Sequence, residues 1–336
     1  MIPSPPSTFP GRQRILALAG GLVCALASPV VAQGAIDPYV APRAVEMDRG
    51  GERAAATEYL GRYLATAPDD GRAWLALGRF YLMDARDWHA RGHAGVPDAA
   101  MVLDFAVTAL EQAVRLQADS GEVLRDQAEM ARALLVTEDS GWDVARADGA
   151  RPPVGGGEAA LPGLVAELGA NLVNSCPAGG VLLTGSDLEN LAVWDAILSA
   201  HHRADVLPVV PRLYATDARY RTSLAHELGV DSSLGIRRAM SEVAAHRAVC
   251  ATPLADSAAI PIGEITPVRL VRVVGPDTVA TFDLLSFTSF IATARAGRSV
   301  WLADVMRSYA TAAARNPVLC RSIFGQLADR PDDACR

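Results

Sequence analysis

The chain has 336 residues, half of them hydrophobic, with 31 basic residues against 38 acidic ones and a formal charge of −7. That length holds two modest domains, each able to bury its own core, and the composition excludes wholesale disorder. Every basic residue is Arg and none lies in a basic cluster, so a net negative chain of this kind is not a nucleic-acid binder.

Residues 1–33 read as a secretory signal. Arg12 and Arg14 form its positive region, residues 15–27 its apolar core, and Val30, Val31 and Ala32 a small-residue cleavage site, so the mature chain starts near Gln33. The apolar run contains Gly20 and Gly21 and is short for a span, so no stable membrane span is expected after cleavage. Without Cys24, four cysteines remain: Cys176, Cys250, Cys320 and Cys335. An even number in an exported chain predicts two disulfides among three pairings, and Cys176–Cys250 with Cys320–Cys335 is the pairing expected here. No close cysteine pair partners a histidine, and neither a metal nor a cofactor is expected. The expected location is periplasmic or extracellular, in contact with the cell envelope.

Residues 34–137 carry a helical and repetitive pattern. The run from Trp74 through Leu77 and Gly78 to Tyr81 is similar to the tetratricopeptide signature W-x2-L-G-x2-Y. Residues 56–68, closed by Pro68, resemble the second helix of a preceding repeat, and residues 109–116 that of a following one. The resemblance implies a helical stack that holds a protein partner, with Tyr59, Trp74, Tyr81 and Trp88 as candidate contacts. Residues 84–98 read as an insertion that no regular repeat needs. His89 and His93 have the four-residue spacing of metal ligands, but Ala90 stands where a zinc protease has Glu, so a solvated loop with incidental histidines is expected.

A Pro- and Gly-rich stretch over 138–160 reads as a linker. Beyond it, 161–280 predicts a three-layer α/β domain with a parallel, Rossmann-like sheet, and 281–336 a helical C-terminal tail. The expected elements are a helix at 161–172, a strand at 181–184, a helix at 188–200, a strand at 205–210, helices at 218–228 and 233–245, a strand at 247–251, and a last edge strand at 268–274.

The stretch from Val181 to Trp194 resembles the LFTNGDNDTFPLW segment of glycosyltransferase-like, multi-spanning membrane proteins related to protein O-mannosyltransferases. Arg203-Ala204-Asp205-Val206 is similar to their RPDV, and residues 247–252 with 268–271 to their RPVYFA and YRLV segments. The resemblance spans about residues 160–276, while Ser186, Leu188 and Glu189 depart from the family pattern and no membrane-spanning transferase part is present. It implies an exported version of the accessory domain, with glycan or glycoprotein assembly as its setting, and does not imply transferase activity.

Thr184, Ser186, Asp187 and Glu189 are the candidate ligand-binding residues, because ligands in open α/β sheets collect at the carboxyl ends of strands. Asp187 and Glu189 would act there as metal ligands or as acid and base toward a bound sugar. The competing reading is a capping box, with Ser186 as N-cap and Glu189 reaching back. Trp194 is expected in the core, and His201 and His202 at a helix C-terminus. No serine-hydrolase elbow or thiol-enzyme arrangement is present. The sequence therefore favours a non-enzymatic interaction or scaffold protein of the envelope. A glycan-binding or glycan-processing edge at 184–189 is the alternative, and a self-associating structural protein the second alternative.

Overall fold

A computed structural model describes residues 36–91, 99–116, positions scattered from 118 to 131, 161–198, 202–276 and 285–327 except 298. The signal, the linker over 138–160, His93, His201 and Cys335 lie outside these residues. The described chain is a mixed helical protein with a small five-stranded mixed sheet, of α+β class.

Four helices lead: α1 (Val40–Arg49), α2 (Arg53–Leu64), α3 (Gly71–Arg91) and α4 (Ala99–Arg115). Asp70 caps α3, its Oδ1 accepting from the amides of Arg72 and Ala73 at 3.0 and 3.1 Å. Gly78 lets α3 and α4 close up, since a Cβ there would lie 2.5 Å from Leu110 Cγ. The expected loop at 84–98 is corrected over its first half: residues 84–91 simply continue α3, which is 21 residues long. A good reason for the helix is visible. Ala85 is buried, while Asp84 and Asp87 accept from Arg53 Nη1 at 3.2 and 2.9 Å, with Asp48 taking Arg53 Nε at 2.6 Å. Three carboxylates on one half-buried guanidinium thus tie the α1–α2 turn to the far half of α3.

The second region begins with α5 (Gly163–Ser175), β1 (Val181–Leu183), α6 (Asp187–Leu198) and β2 (Leu207–Val209). Three helices follow, α7 (Pro211–Thr216), α8 (Ala218–Leu228) and α9 (Ile236–Val243), and then β3 (Val249–Ala251), β4 (Thr266–Val268) and β5 (Val271–Val274). The strand order is β2-β1-β3-β5-β4, with β2, β1 and β3 parallel and β5 and β4 antiparallel. The sheet is therefore mixed, which corrects the all-parallel expectation. The right-handed crossover rule puts α6 and the α7–α9 group on opposite faces, because the chain leaves β1 toward β2 and later crosses back past it to β3.

The expected edge strand at 268–274 divides into β4 and β5 at Arg269 and Leu270. Arg269 takes a φ of 51°, the left-handed backbone a two-residue hairpin turn uses. β5 lies inside the sheet and β4 forms its edge. Each outer strand carries a proline. Pro208 lies between Leu207, whose amide donates to Gly180, and Val209, whose carbonyl accepts from Thr184, so the missing N–H of Pro208 is on the open side of β2. Pro267 is one step from the hairpin pair Val268–Val271 and faces outward by the same alternation. Neither edge offers a full ladder to another chain.

The expected tail is not separate. α10 (Thr288–Ala296), α11 (Leu302–Ala313) and α12 (Pro317–Phe324) share one hydrophobic core with the sheet, where Phe290, Tyr309, Ile323 and Phe324 are all completely buried. Glu167 of α5 accepts from the amides of Ser289 and Phe290, each at 2.9 Å, and so caps α10 from another helix.

Cys176 and Cys250 form a disulfide that joins the end of α5 to the middle of β3. Cys320 is also disulfide-bonded, and its expected partner Cys335 lies outside the described residues. Among the described residues no helix is long and apolar enough to cross a membrane, and the disulfide is compatible with an exported protein. The bond closes a separation of 74 residues, so loop-closure entropy predicts that Cys176→Ala with Cys250→Ala lowers unfolding stability by about 4 kcal/mol, read by urea denaturation.

Candidate functional site

β1 runs fully buried to Leu183 and gives way to Thr184, Gly185 and Ser186 before α6 starts. Thr184 is buried, its Oγ1 between the Asn190 side-chain amide and the Val209 carbonyl, the latter at 3.0 Å. It braces the strand end and has no face toward solvent. Ser186 performs the capping half of the expected box: its Oγ accepts from the Glu189 amide at 3.1 Å. Asp187 is partly exposed and pairs with Arg212 at 3.3 Å, while Arg86 of α3 acts electrostatically on the same pair from the helical stack.

Glu189 departs most from its expected place. Its side chain is fully buried. One oxygen, Oε2, accepts from Gly185 N at 3.1 Å, one residue further back than the capping-box amide, and from Thr252 Oγ1 at 2.6 Å. The other, Oε1, accepts from Leu254 N at 3.3 Å and Ser308 Oγ at 2.7 Å. Burial pushes its pKa above the ordinary carboxylate value, and the four donors pull it back without restoring it. Arg272 of β5 supplies the nearby positive charge, donating at 3.3 and 3.0 Å to the carbonyls of Thr252 and Ala255. Thr252 therefore stands between the guanidinium and the carboxylate.

This knot lies where the chain leaves β1 and β3 at their carboxyl ends, the position at which an open α/β sheet has its crevice. Here its floor is filled by the chain, while Gly185 itself stays exposed. A Cβ on Gly185 would lie 2.0 Å from the Leu254 carbonyl carbon and 2.2 Å from Ala255 N, so the loop after β3 rests directly on the β1–α6 turn. The open space is displaced outward. A cleft of about 230 Å³ is walled by Ser186, Asp187, Leu188 and Leu191 of the α6 region, by Leu254, and by Trp301, Asp304 and Arg307 at the start of α11, with Gln127 completing it. Asp187 and Ser186 thus line a cleft, whereas Thr184 and Glu189 lie beneath it.

The other sequence candidates divide similarly. Tyr59, Trp74 and Tyr81 are half-buried against the stack's own core; Tyr59 lies under the Arg43 guanidinium at 5.6 Å, and Trp74 Nε1 donates to Pro68 O at 2.7 Å. The side chain of Trp88 lies outside the described residues. Trp194 is in the core as expected. His202 Nε2 is 2.7 Å from Asn174 Oδ1. Arg203 and Arg247 brace the amino ends of the strands. Asp205 accepts from Arg203 Nε and Gly179 N, both at 2.8 Å, while Arg247 donates to the Gly179 carbonyl. The Arg203 contact holds the Asp205 carboxyl down at about 2, so this brace is intact above the ordinary carboxylate range and is lost as pH falls toward that value.

A larger open space lies elsewhere among the described residues, a groove of about 640 Å³ at one end of the helical stack. Ile36, Pro38, Ala41, Leu75 and Leu116 give it an apolar lining, and Asp37, Asp69 and Arg72 stand among its polar residues. Sequence reasoning did not single out this groove, nor the partners of Glu189. Among the described residues no group of three or more His, Cys, Asp or Glu side chains is arranged to hold a metal. Comparison with protein-family models, with curated proteins and with solved structures finds no match to this chain.

Proposed function

We propose that this chain is an exported, non-enzymatic scaffold of the cell envelope whose tetratricopeptide-like stack holds a protein partner and whose Rossmann-like domain supports it. One observation carries the reading. Both oxygens of Glu189 are committed to donors within the protein, and the loop after β3 rests against Gly185, so the floor of the crevice where a substrate would sit is filled by the chain itself. The stack, by contrast, keeps a large apolar groove open at its end. The resemblance of residues 160–276 to accessory domains of glycosyltransferase-like proteins directs attention to glycan or glycoprotein assembly as the setting.

The cleft beside Asp187 favours a second reading, a glycan-binding edge outside the filled crevice floor. Self-association through the sheet is disfavoured by the prolines on both edges.

A capture experiment from envelope extract separates the first two readings. Wild type is run beside Ile36→Asp in the groove, at an exposed position, and Asp187→Ala at the cleft, at a partly exposed one. The scaffold reading expects Asp187→Ala to retain the partner and Ile36→Asp to lose at least nine-tenths of it. Loss with Asp187→Ala alone would transfer the function to the cleft.

A further inference from the structure

We propose that Glu189 is a proton-operated latch that sets how firmly α11 is held against α6 and the loop after β3. The same three segments that wall the 230 Å³ cleft are joined beneath it by this one carboxylate: the β1–α6 turn through Gly185, the β3 loop through Thr252 and Leu254, and α11 through Ser308. Val305 and Tyr309 of α11 pack in the shared core, and the carboxylate adds a polar tie to that packing. The tie is four hydrogen bonds to a single titratable group, and each oxygen has one fixed amide donor and one hydroxyl that can turn. The amides always donate, so they suit the ionised form. A proton on either oxygen is accommodated by a hydroxyl rotating to accept it.

The charged surroundings come from every element packed on the site. Arg272 of β5 faces Glu189 across Thr252, with Arg315 acting on it from beyond α11. The Nε of Arg272 is buried and without a hydrogen-bond partner among the described residues. α11 presents Asp304 and Arg307, paired with each other at 3.2 Å at the cleft. α6 presents Asp187, paired with Arg212, and α5 presents Glu167, engaged on α10. Residues 252–255 carry no charge. Glu189 is therefore the fully buried carboxyl of this knot.

The sign follows from burial. In the closed arrangement the carboxyl holds its proton more tightly than an ordinary glutamate, while an arrangement with α11 lifted returns it to water and to its usual value. Protons consequently favour the closed form. That stabilisation is complete below the ordinary glutamate value of about 4.3 and fades as pH rises through the closed-form value. Each unit between the two values changes the closed-to-open ratio about tenfold.

Amide hydrogen exchange of the full chain at pH 5 and 7.5, corrected for intrinsic rates, tests the latch, with β1 as internal reference. Opening of Leu302–Ala313 is expected to rise from pH 5 to pH 7.5 in wild type and to be flat in Glu189→Gln. Ser308→Ala is expected to raise opening at both pH values while keeping the pH dependence. Equal pH dependence in wild type and Glu189→Gln, or none in wild type, overturns the proposal. Carbon-13 NMR titration of the wild-type carboxyls decides the matter if Glu189→Gln does not fold: a Glu189 value at or below the ordinary one overturns the latch.

Discussion

Glu189→Ala is expected to lower unfolding stability by about 3 kcal/mol at neutral pH. The carboxylate accepts from two backbone amides and two hydroxyls in a site closed to solvent. Removing it leaves those donors facing a small cavity, at about 1–3 kcal/mol for each buried group that finds no water. The Arg272 charge also loses its nearby counter-charge. Against this stands relief from burying an ionised carboxyl, which keeps the net below the sum of the parts. Glu189→Gln retains the volume and one acceptor, so a smaller loss of about 1 kcal/mol is expected. Urea denaturation of the three proteins at pH 7 checks the order. Equal stability of wild type and Glu189→Ala would mean that the four contacts merely coexist with the fold and do not support it.

The contrast between Glu189 and Asp187 shows what could be read from the sequence in this region. Ser186 followed three residues later by Glu189 predicts an N-cap, and the Ser186 half of that box is present. The rest of the Glu189 environment is non-local. Thr252 is 63 residues away and Ser308 is 119 away, on a strand end and in the middle of a helix, where neither residue type announces a carboxylate partner. Periodicity locates elements, and it located the 218–228 helix to the residue because Asp217 and Gly229 punctuate it with an N-cap and a left-handed C-cap. It cannot report which loop will fold over a strand end.

The same limit accounts for the sheet. The run at 268–274 alternates apolar and charged residues as an edge strand does, but alternation describes one strand and is silent about its neighbours. Arg269 in a left-handed turn splits off β4, and the interior place goes to β5, with Arg272 spared full burial near the end of β3. In the helical stack, the aromatic signature at Trp74–Tyr81 lies within α3, while residues 84–98, which no regular repeat needs, read as an insertion. The counter-charge of Asp84 and Asp87, Arg53, sits on the preceding helix, so the pattern that looks solvated by itself is half-buried in the fold.

Gly169→Ala is the second large effect and concerns the helix pair on which the sheet domain rests. A glycine in the interior of a helix costs about 1 kcal/mol relative to alanine, so its presence in α5 calls for a packing reason. The structure supplies one: a Cβ at this position would lie 2.0 Å from the Ala192 carbonyl oxygen and 2.6 Å from its carbon on α6. Both obstacles are backbone, which no rotamer change can move. The helices must separate by more than an ångström, and that displacement strains the buried contacts of Leu168, Leu172, Val193 and Trp194 in the same core. Overpacking of this kind costs about 3 kcal/mol, of which the better helix propensity of alanine recovers about 1. The net loss of about 2 kcal/mol corresponds to a fall of about 6 °C in Tm for a domain of this size. The displaced α6 also carries Glu189, so the substitution should loosen the latch: exchange at Leu302–Ala313 is expected to rise with the fall in Tm. A variant with unchanged Tm would show that α5 and α6 approach less closely than the Gly169 contact requires.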